Sequence, residues 1–295
     1  MESIREILKR IRQIELRTSR LVNRDLAGSY HSVFKGSGMN FEEVREYQPG
    51  DEIRSIDWNV TARLGDPYVK KFKEERELAV MIAVDLSASG EFGSVSASKR
   101  EMAAEIAAVL ALSGVRNGDR IGLLLFTDEV EMYVPPKKGR SHALRIIREV
   151  LYYKAKHRRT SIKVALEYLN RLLTRRAVVF LLSDFVDSGY EKPLAVCARR
   201  HDLVALMVRD PAEQRLPAVG RILLQDAETG EQVEVDTGSA TARKAYEALV
   251  NRRQKELESL LKRNRVDGIK ISTGEDYIPA LRQFFHQRER RQVSA

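Results

Sequence analysis

The stretch "AVDLSASGEFGS", Ala83 to Ser94, sets an aspartate and two serines at alternate positions: Asp85, Ser87 and Ser89. Three oxygen-bearing side chains on one short loop suit a hard cation, which prefers carboxylate, hydroxyl and water oxygens. A second aspartate, Asp184, ends the apolar run "AVVFLLSD", and Thr160 opens a helical pattern in "HRRTSIKVAL". If these three loops converge, Asp85, Ser87, Ser89, Thr160 and Asp184 make an all-oxygen set for Mg²⁺ or Mn²⁺. The hydroxyls would bind directly, while the two aspartates act through water and anchor the hydroxyls. Neutral direct ligands leave such an ion electron-poor and receptive to a carboxylate from another molecule. Ser161 and Asp187 are alternative ligands on the same loops. The competing account is the chemistry of chain reversal, in which these residues only close strand-end turns and cap helices.

Convergence needs a scaffold, and the pattern after Leu78 supplies one. "LAVMIAVD" reads as a strand, "SASKREMAAEIAAVLALSGVR" as an amphipathic helix, and "DRIGLLLF" as a strand with a hairpin partner in "EVEMYVPP". Helices follow in "SHALRIIREVLYY" and "SIKVALEYLNRLL", then a strand in "AVVFLLSD", a helix in "YEKPLAVCARR" and a strand in "DLVALMVRD". Alternating strands and helices predict the α/β class, a doubly wound and mostly parallel sheet covered on both faces. The near-continuous apolar strands agree, because such strands are buried on both sides. In this architecture ligands bind beyond the carboxyl ends of the strands, near the switch point. That is where Asp85 and Asp184 fall.

This core is expected over residues 79–210. Residues 211–295 complete the domain with a hairpin in "RILLQDAETGEQVEVD" turning at Thr229-Gly230, and a charged helix from Ser239 to Arg263. A strand "GIKIST" and a closing helix in "DYIPALRQFFHQRERR" end it. Residues 1–35 hold a helix with apolar Ile4, Ile7, Leu8, Ile11 and Ile14, and "LAGSYHSVFKGSGMNF" reads as an irregular connection. Residues 36–78 form a small strand-and-turn module with turns at Pro49-Gly50 and Gly65-Asp66-Pro67. There Arg45, Asp51, Arg54, Asp57, Arg63 and Glu75 are expected to make an ion-pair network around a buried Trp58, next to Asn59.

The 295 residues carry a formal net charge of +9, which favours anionic partners without choosing among nucleic acid, lipid and acidic protein. "KKGRSHALRIIREVLYYKAKHRR" and "RQFFHQRERR" interleave basic residues with Tyr152, Tyr153, Phe284 and Phe285, so nucleic-acid binding is the alternative function. The single cysteine, Cys197, excludes an internal disulfide and sits where a core-filling residue belongs. No signal-type segment and no apolar run near the ~20 residues of a membrane span is present, which predicts a soluble cytoplasmic protein. An aspartyl-nucleophile hydrolase would want a second carboxylate two residues after Asp85, where Ser87 stands. His31, His142, His157, His201 and His286 are scattered, and no phosphate loop for ATP occurs. A non-catalytic role follows, with a metal-dependent hydrolase as the weaker alternative.

Asp85-Leu86-Ser87-Ala88-Ser89 resembles the metal-ion-dependent adhesion site of von Willebrand factor A-type domains. Thr160 and Asp184 match that site's second and third loops, and "NGDRIGLLLFTDEV" resembles the second strand and hairpin of that fold. The upstream "VREYQPGDEIRSIDWNVTARLGDPYVKKFKEERE" resembles the hallmark of domain-of-unknown-function family 58, as do "RDPAEQRLPAVG" and "DYIPALRQFF". The likeness runs over nearly the whole chain from Gly36. It departs in the second loop, where "KHRRTSI" stands in place of glycines and sets Arg158 and Arg159 beside the proposed cation. The resemblance implies a von Willebrand factor A-like, Rossmann-type fold whose metal is completed by an acidic residue of a partner. It further implies an adaptor or chaperone-like accessory to a MoxR-type AAA+ ATPase acting on an unknown client protein. For the 36–78 module, the alternative to a purely structural ion-pair network is an exposed face that docks the ATPase.

Overall fold

The computed structural model describes residues 12–14, 16, 18, 38–75, 78–95 and 97–293. The expected opening helix lies largely outside the described residues, where Arg12–Ile14, Leu16 and Thr18 are helical. The chain forms two compact units, Phe34–Leu78 and the remainder.

In the smaller unit, β1 (Gly38–Glu46) pairs antiparallel with β2 (Tyr68–Glu75), Phe41 opposite Phe72 and Glu46 opposite Tyr68. Gly38–Phe41, read from sequence as irregular connection, are therefore strand, because their partners at Phe72–Glu75 complete the ladder. Between the strands runs α1 (Trp58–Leu64). The Asp57 side chain accepts the Asn59 and Val60 amides at its start, and Gly65 at φ 90° stops it in the left-handed region. Asp51 takes both Arg45 nitrogens at 2.8 and 2.7 Å, so part of the expected ion-pair network exists.

Its centre does not. Trp58 is 66% exposed, and the buried residue is its neighbour Asp57. The cause is local: the capping carboxylate must face the helix amides inward, which sets the next side chain at the open first turn. Trp58→Ala is accordingly expected to shift unfolding free energy by less than about 0.5 kcal/mol, as for an ordinary surface site; a urea titration checks this.

In the larger unit the chain runs β3 (Ala79–Asp85), α2 (Lys99–Arg116), β4 (Arg120–Phe126), β5 (Val130–Lys137), α3 (Arg140–Tyr152), α4 (Ile162–Leu172) and β6 (Val178–Ser183). It continues with α5 (Glu191–Arg200), β7 (Asp202–Arg209), a short α6 (Pro211–Gln214), β8 (Arg221–Gln225), β9 (Gln232–Asp236), α7 (Ala240–Arg263), β10 (Asp267–Ser272) and α8 (Ile278–Val293). Six strands form one sheet in the order β10-β7-β6-β3-β4-β5, all parallel except β5, which returns antiparallel to β4. This is the doubly wound, mostly parallel α/β class expected from the sequence.

Val80, Met81, Ile82, Ala83 and Val84 of β3 have no exposed surface. Met81 and Ala83 pack with Val179, Leu181, Ala205 and the apolar stripes of α4, α5 and α7 on one face. Strand alternation sends Val80, Ile82 and Val84 to the other, where α2 lies. Helix α2 departs from the amphipathic expectation. Ile106 to Gly114 are buried without interruption, because α2 packs against the sheet and also against α3. Cys197 is fully buried in the α4–α5 layer, and that burial pushes its thiol up to about 12, the chemistry of a filler and not of a nucleophile.

Phe284 and Phe285, the aromatics of the basic C-terminal stretch, are 7% and 1% exposed. Arg288 lies over the Phe284 ring and pairs with both Asp202 and Asp267. Those aromatics are core residues, as helical spacing allows, and their rings are not offered to a base. Among the described residues no helix is long and apolar enough to cross a membrane.

Candidate functional site

The topology brings the first and third loops together before any side chain is considered. The chain winds from β3 outward through β4 and β5, then returns to lay β6 on the other side of β3. Strands β3 and β6 are therefore parallel neighbours, with Val84 opposite Leu182. One step further along, Asp85 meets Ser183, and Asp184 emerges beside them at the switch point.

The side chains close this into a cluster. Ser183 Oγ donates to Asp85 Oδ2 at 2.7 Å and accepts the Phe185 amide at 3.0 Å. The Ser87 amide donates to Asp85 Oδ1 at 2.9 Å, folding the loop back on the strand end. Ser87 Oγ and Ser89 Oγ are 3.1 Å apart, and Ser89 Oγ donates to Asp184 Oδ2 at 3.1 Å. Four of the five expected residues, Asp85, Ser87, Ser89 and Asp184, thus form one hydrogen-bonded group with Ser183.

Beneath it sits a buried cation. Lys99, the first residue of α2, reaches Asp184 Oδ2 and Glu213 Oε1, both at 2.7 Å, with its side chain only 4% exposed. Burial alone would lower its pKa, but the carboxylates of Asp184 and Glu213 overcome that and hold it above its ordinary value. Asp85 shifts the other way from a usual carboxylate. Desolvation first, and the Asp184 carboxylate second, push it up against the hydrogen bonds from Ser87 and Ser183.

The backbone is strained here. Phe185 adopts φ 59°, a left-handed conformation costing a bulky residue about 1–3 kcal/mol. Its buried ring, packed edge-on to Tyr190 at 6.3 Å, and the Ser183–amide bond hold it there. The strain turns the chain sharply, so that Asp184 points back toward the serines while its Oδ1 accepts the Val186 amide at 3.1 Å.

The second loop approaches through its backbone, where the Ala88 amide donates to Arg158 O at 2.9 Å. Glu131, whose side chain is 1% exposed, shapes this loop by accepting Thr127 Oγ1 and the Lys156 and His157 amides, each at 3.0 Å. Thr160 is committed elsewhere. Its amide and hydroxyl donate to the two oxygens of Glu228, at 3.0 and 2.6 Å. The alternative ligands are engaged in capping, since Ser161 Oγ accepts the Val164 amide and Asp187 Oδ2 the Ile162 amide at the start of α4. Arg158 turns its guanidinium to Ala227 O at 2.9 Å, which answers how an arginine is tolerated at this place.

The donor chemistry fits a hard divalent cation. Every oxygen is carboxylate or hydroxyl, and the Asp184 carboxylate adds to the cost of ionising Asp85, which a second positive charge would relieve. Among the described residues no three His, Cys, Asp or Glu side chains are grouped to hold a metal by themselves. The hydroxyls and water would have to supply the remaining positions.

Sequence reading missed Ser183, Lys99, Glu213 and Glu228. Lys99 left a trace: a lysine at the first position of a helix opposes the dipole and calls for carboxylates nearby. Ser183 adjoins Asp184 at the strand end, whereas Glu228 in its turn carries no signal at all.

Comparison with known proteins gives a family match and several relatives. A family model described as "Protein of unknown function DUF58" matches residues 43–256. Uncharacterized protein Rv1480 of Mycobacterium tuberculosis is 34% identical over 223 residues, 75% of this chain and 70% of its own length. Among solved structures, the conserved hypothetical protein BatB of Bacteroides thetaiotaomicron is similar at 17% identity and TM-score 0.46, over 72% of this chain and 99% of its own. The SpRpn10 VWA domain is similar at 11% identity and TM-score 0.36, over 70% of this chain and 95% of its own.

Proposed function

The chain belongs to the DUF58 family, and from that premise we propose that it is a non-catalytic, metal-dependent protein-interaction module. The observation that carries the reading is the joining of Asp85, Ser87, Ser89 and Asp184 into one oxygen-rich cluster at the sheet's switch point. Mg²⁺ or Mn²⁺ would rest on the Ser87 and Ser89 hydroxyls, with Asp85 and Asp184 through water, and would supply an acidic group of a partner with a coordination position. Lys99 holds Asp184 in place, and Ser183 holds Asp85, so the loops stay converged in the free chain.

The partner we propose, on the likeness read from the sequence, is a MoxR-type AAA+ ATPase engaged with a client protein. A binding role is supported by what the cluster lacks the chemistry for. Ser87 stands where a general acid would be needed, and Cys197 is buried with its thiol pushed up to about 12. Nucleic-acid binding is disfavoured by the burial of Phe284 and Phe285.

Replacing Ser87 and Ser89 together by alanine is expected to abolish Mg²⁺ and Mn²⁺ binding in titration calorimetry while the far-ultraviolet circular dichroism stays that of wild type. Unchanged metal affinity in the double variant would overturn the site.

A further inference from the structure

We propose that the second loop is a receptor for a carboxylate whose occupant in the free chain is the chain's own Glu228, so that an acidic partner must displace the β8–β9 hairpin to bind. The inference rests on the interaction-module reading above and specifies how that site is regulated.

Glu228 is placed with care. It sits at the tip of the hairpin, where Asp226 Oδ1 accepts the Glu228 and Thr229 amides at 2.9 and 2.7 Å and closes the turn. The folded tip presents one carboxylate to both donors of Thr160, its amide to Oε2 and its hydroxyl to Oε1. Arg158 adds a third tie to the neighbouring Ala227 carbonyl. Two parallel hydrogen bonds into one carboxylate are the geometry by which a carboxylate from any source would be held. The same loop touches the Asp85–Ser89 loop through the Ala88 amide and Arg158 carbonyl, so the captured group lies on the flank of the cation cluster.

The hairpin is built as an arm and not as part of the core. Strands β8 and β9 pair only with each other among the described residues. Leu223 and Val233 are 61% and 59% exposed, so burial of apolar surface does little to hold it down. Its base is secured instead: Thr237 Oγ1 donates to Gly220 O at 2.6 Å, and Arg243 Nη1 to Thr237 O at 2.6 Å. Gly220, at φ 86°, allows the chain to turn into the arm. An arm fixed at its base and tied at its tip by polar contacts exchangeable with those of another carboxylate is a tethered competitor. Its high effective concentration lowers the apparent affinity of any free carboxylate. The partner chemistry is therefore an Asp or Glu side chain presented by another protein.

The test uses the full chain as wild type, Glu228→Ala and Glu228→Gln, the last keeping the side chain's bulk while removing its charge. Mn²⁺ affinity is measured first by calorimetry, and acetate is then titrated onto the Mn²⁺-loaded proteins as the carboxylate probe. Both variants are expected to bind Mn²⁺, and acetate to bind Glu228→Ala at least about tenfold more tightly than wild type. Hydrogen exchange at the Thr160 amide, which loses its acceptor, should accelerate in Glu228→Ala, with the Ser87 amide unchanged. Equal acetate affinity in wild type and both variants, with Mn²⁺ still bound, overturns the inference and leaves the module reading standing. Absence of Mn²⁺ binding in all three proteins overturns the module reading, and the inference falls with it.

Discussion

Lys99→Met is expected to lower unfolding free energy by about 3–5 kcal/mol, the cost of removing one partner from a buried charge group. The ammonium is 4% exposed and makes 2.7 Å contacts to both Asp184 and Glu213. Without it, Asp184 stands against Asp85 with no compensating charge, and the first and third loops repel where they now converge. Methionine preserves most of the volume, so the loss reports the charge and not a cavity. Urea unfolding followed by circular dichroism measures it. A second arm connects stability to function. Added Mg²⁺ should restore more stability to Lys99→Met than it adds to wild type, because a ligand that binds only the folded state stabilises it more the more tightly it binds. Combining Lys99→Met with the Ser87 and Ser89 alanines should remove that recovery. If Mg²⁺ stabilises neither protein, Lys99 is a purely structural cation and the cluster holds no metal.

Asp210→Ala is expected to cost roughly 3 kcal/mol by leaving the buried Thr273 hydroxyl unpaired and releasing the Ser94 and Ala212 amides. Asp210 has no exposed surface, yet it stands at the end of β7 as the meeting point of three segments. Its carboxylate accepts the Ser94 amide at 2.9 Å, the Ser94 hydroxyl, the Thr273 hydroxyl at 2.6 Å and the Ala212 amide at 2.9 Å. It thereby ties the loop ahead of α2 to the ends of β7 and β10. Burial pushes its pKa up, but the bonds from Ser94, Thr273 and Ala212 outweigh burial and hold it below the ordinary carboxylate value. A folded pKa below the unfolded one gives stability that is present above the unfolded value, about 3.9, and disappears as pH falls through the folded one. The stability gap between wild type and Asp210→Ala should therefore be widest near neutral pH and narrow below about pH 4. A gap that stays constant from pH 7 to pH 3 would show that the contacts of Asp210 do not depend on its charge.

Much of the scaffold was legible from the sequence because its signals are short-ranged. Apolar runs such as "LAVMIAVD" and "AVVFLLSD" can satisfy neither solvent nor an open face, so they become the central strands β3 and β6. Ser98 with Glu101, and Ser161 and Ser239 alone, cap the helices they precede, since each side chain needs only amides two or three residues away. Asp85 and Asp184 were readable as candidate residues for the same reason, as aspartates that end apolar strands, and the structure brings them into one cluster.

What the tertiary structure alone decided concerns partners far apart in the chain. Trp58 could be core or surface by its type, and the inward demand of the Asp57 cap left it at the surface. Lys99 found Asp184 across 85 residues and Thr160 found Glu228 across 68, pairings set by how the crossovers return β6 to β3 and where the β8–β9 arm lands. Periodicity and capping act over one or two helical turns and fix each element in place along the chain. Which charge meets which hydroxyl is settled by the packing of those elements, a competition among many nearly equal polar contacts that local sequence does not encode.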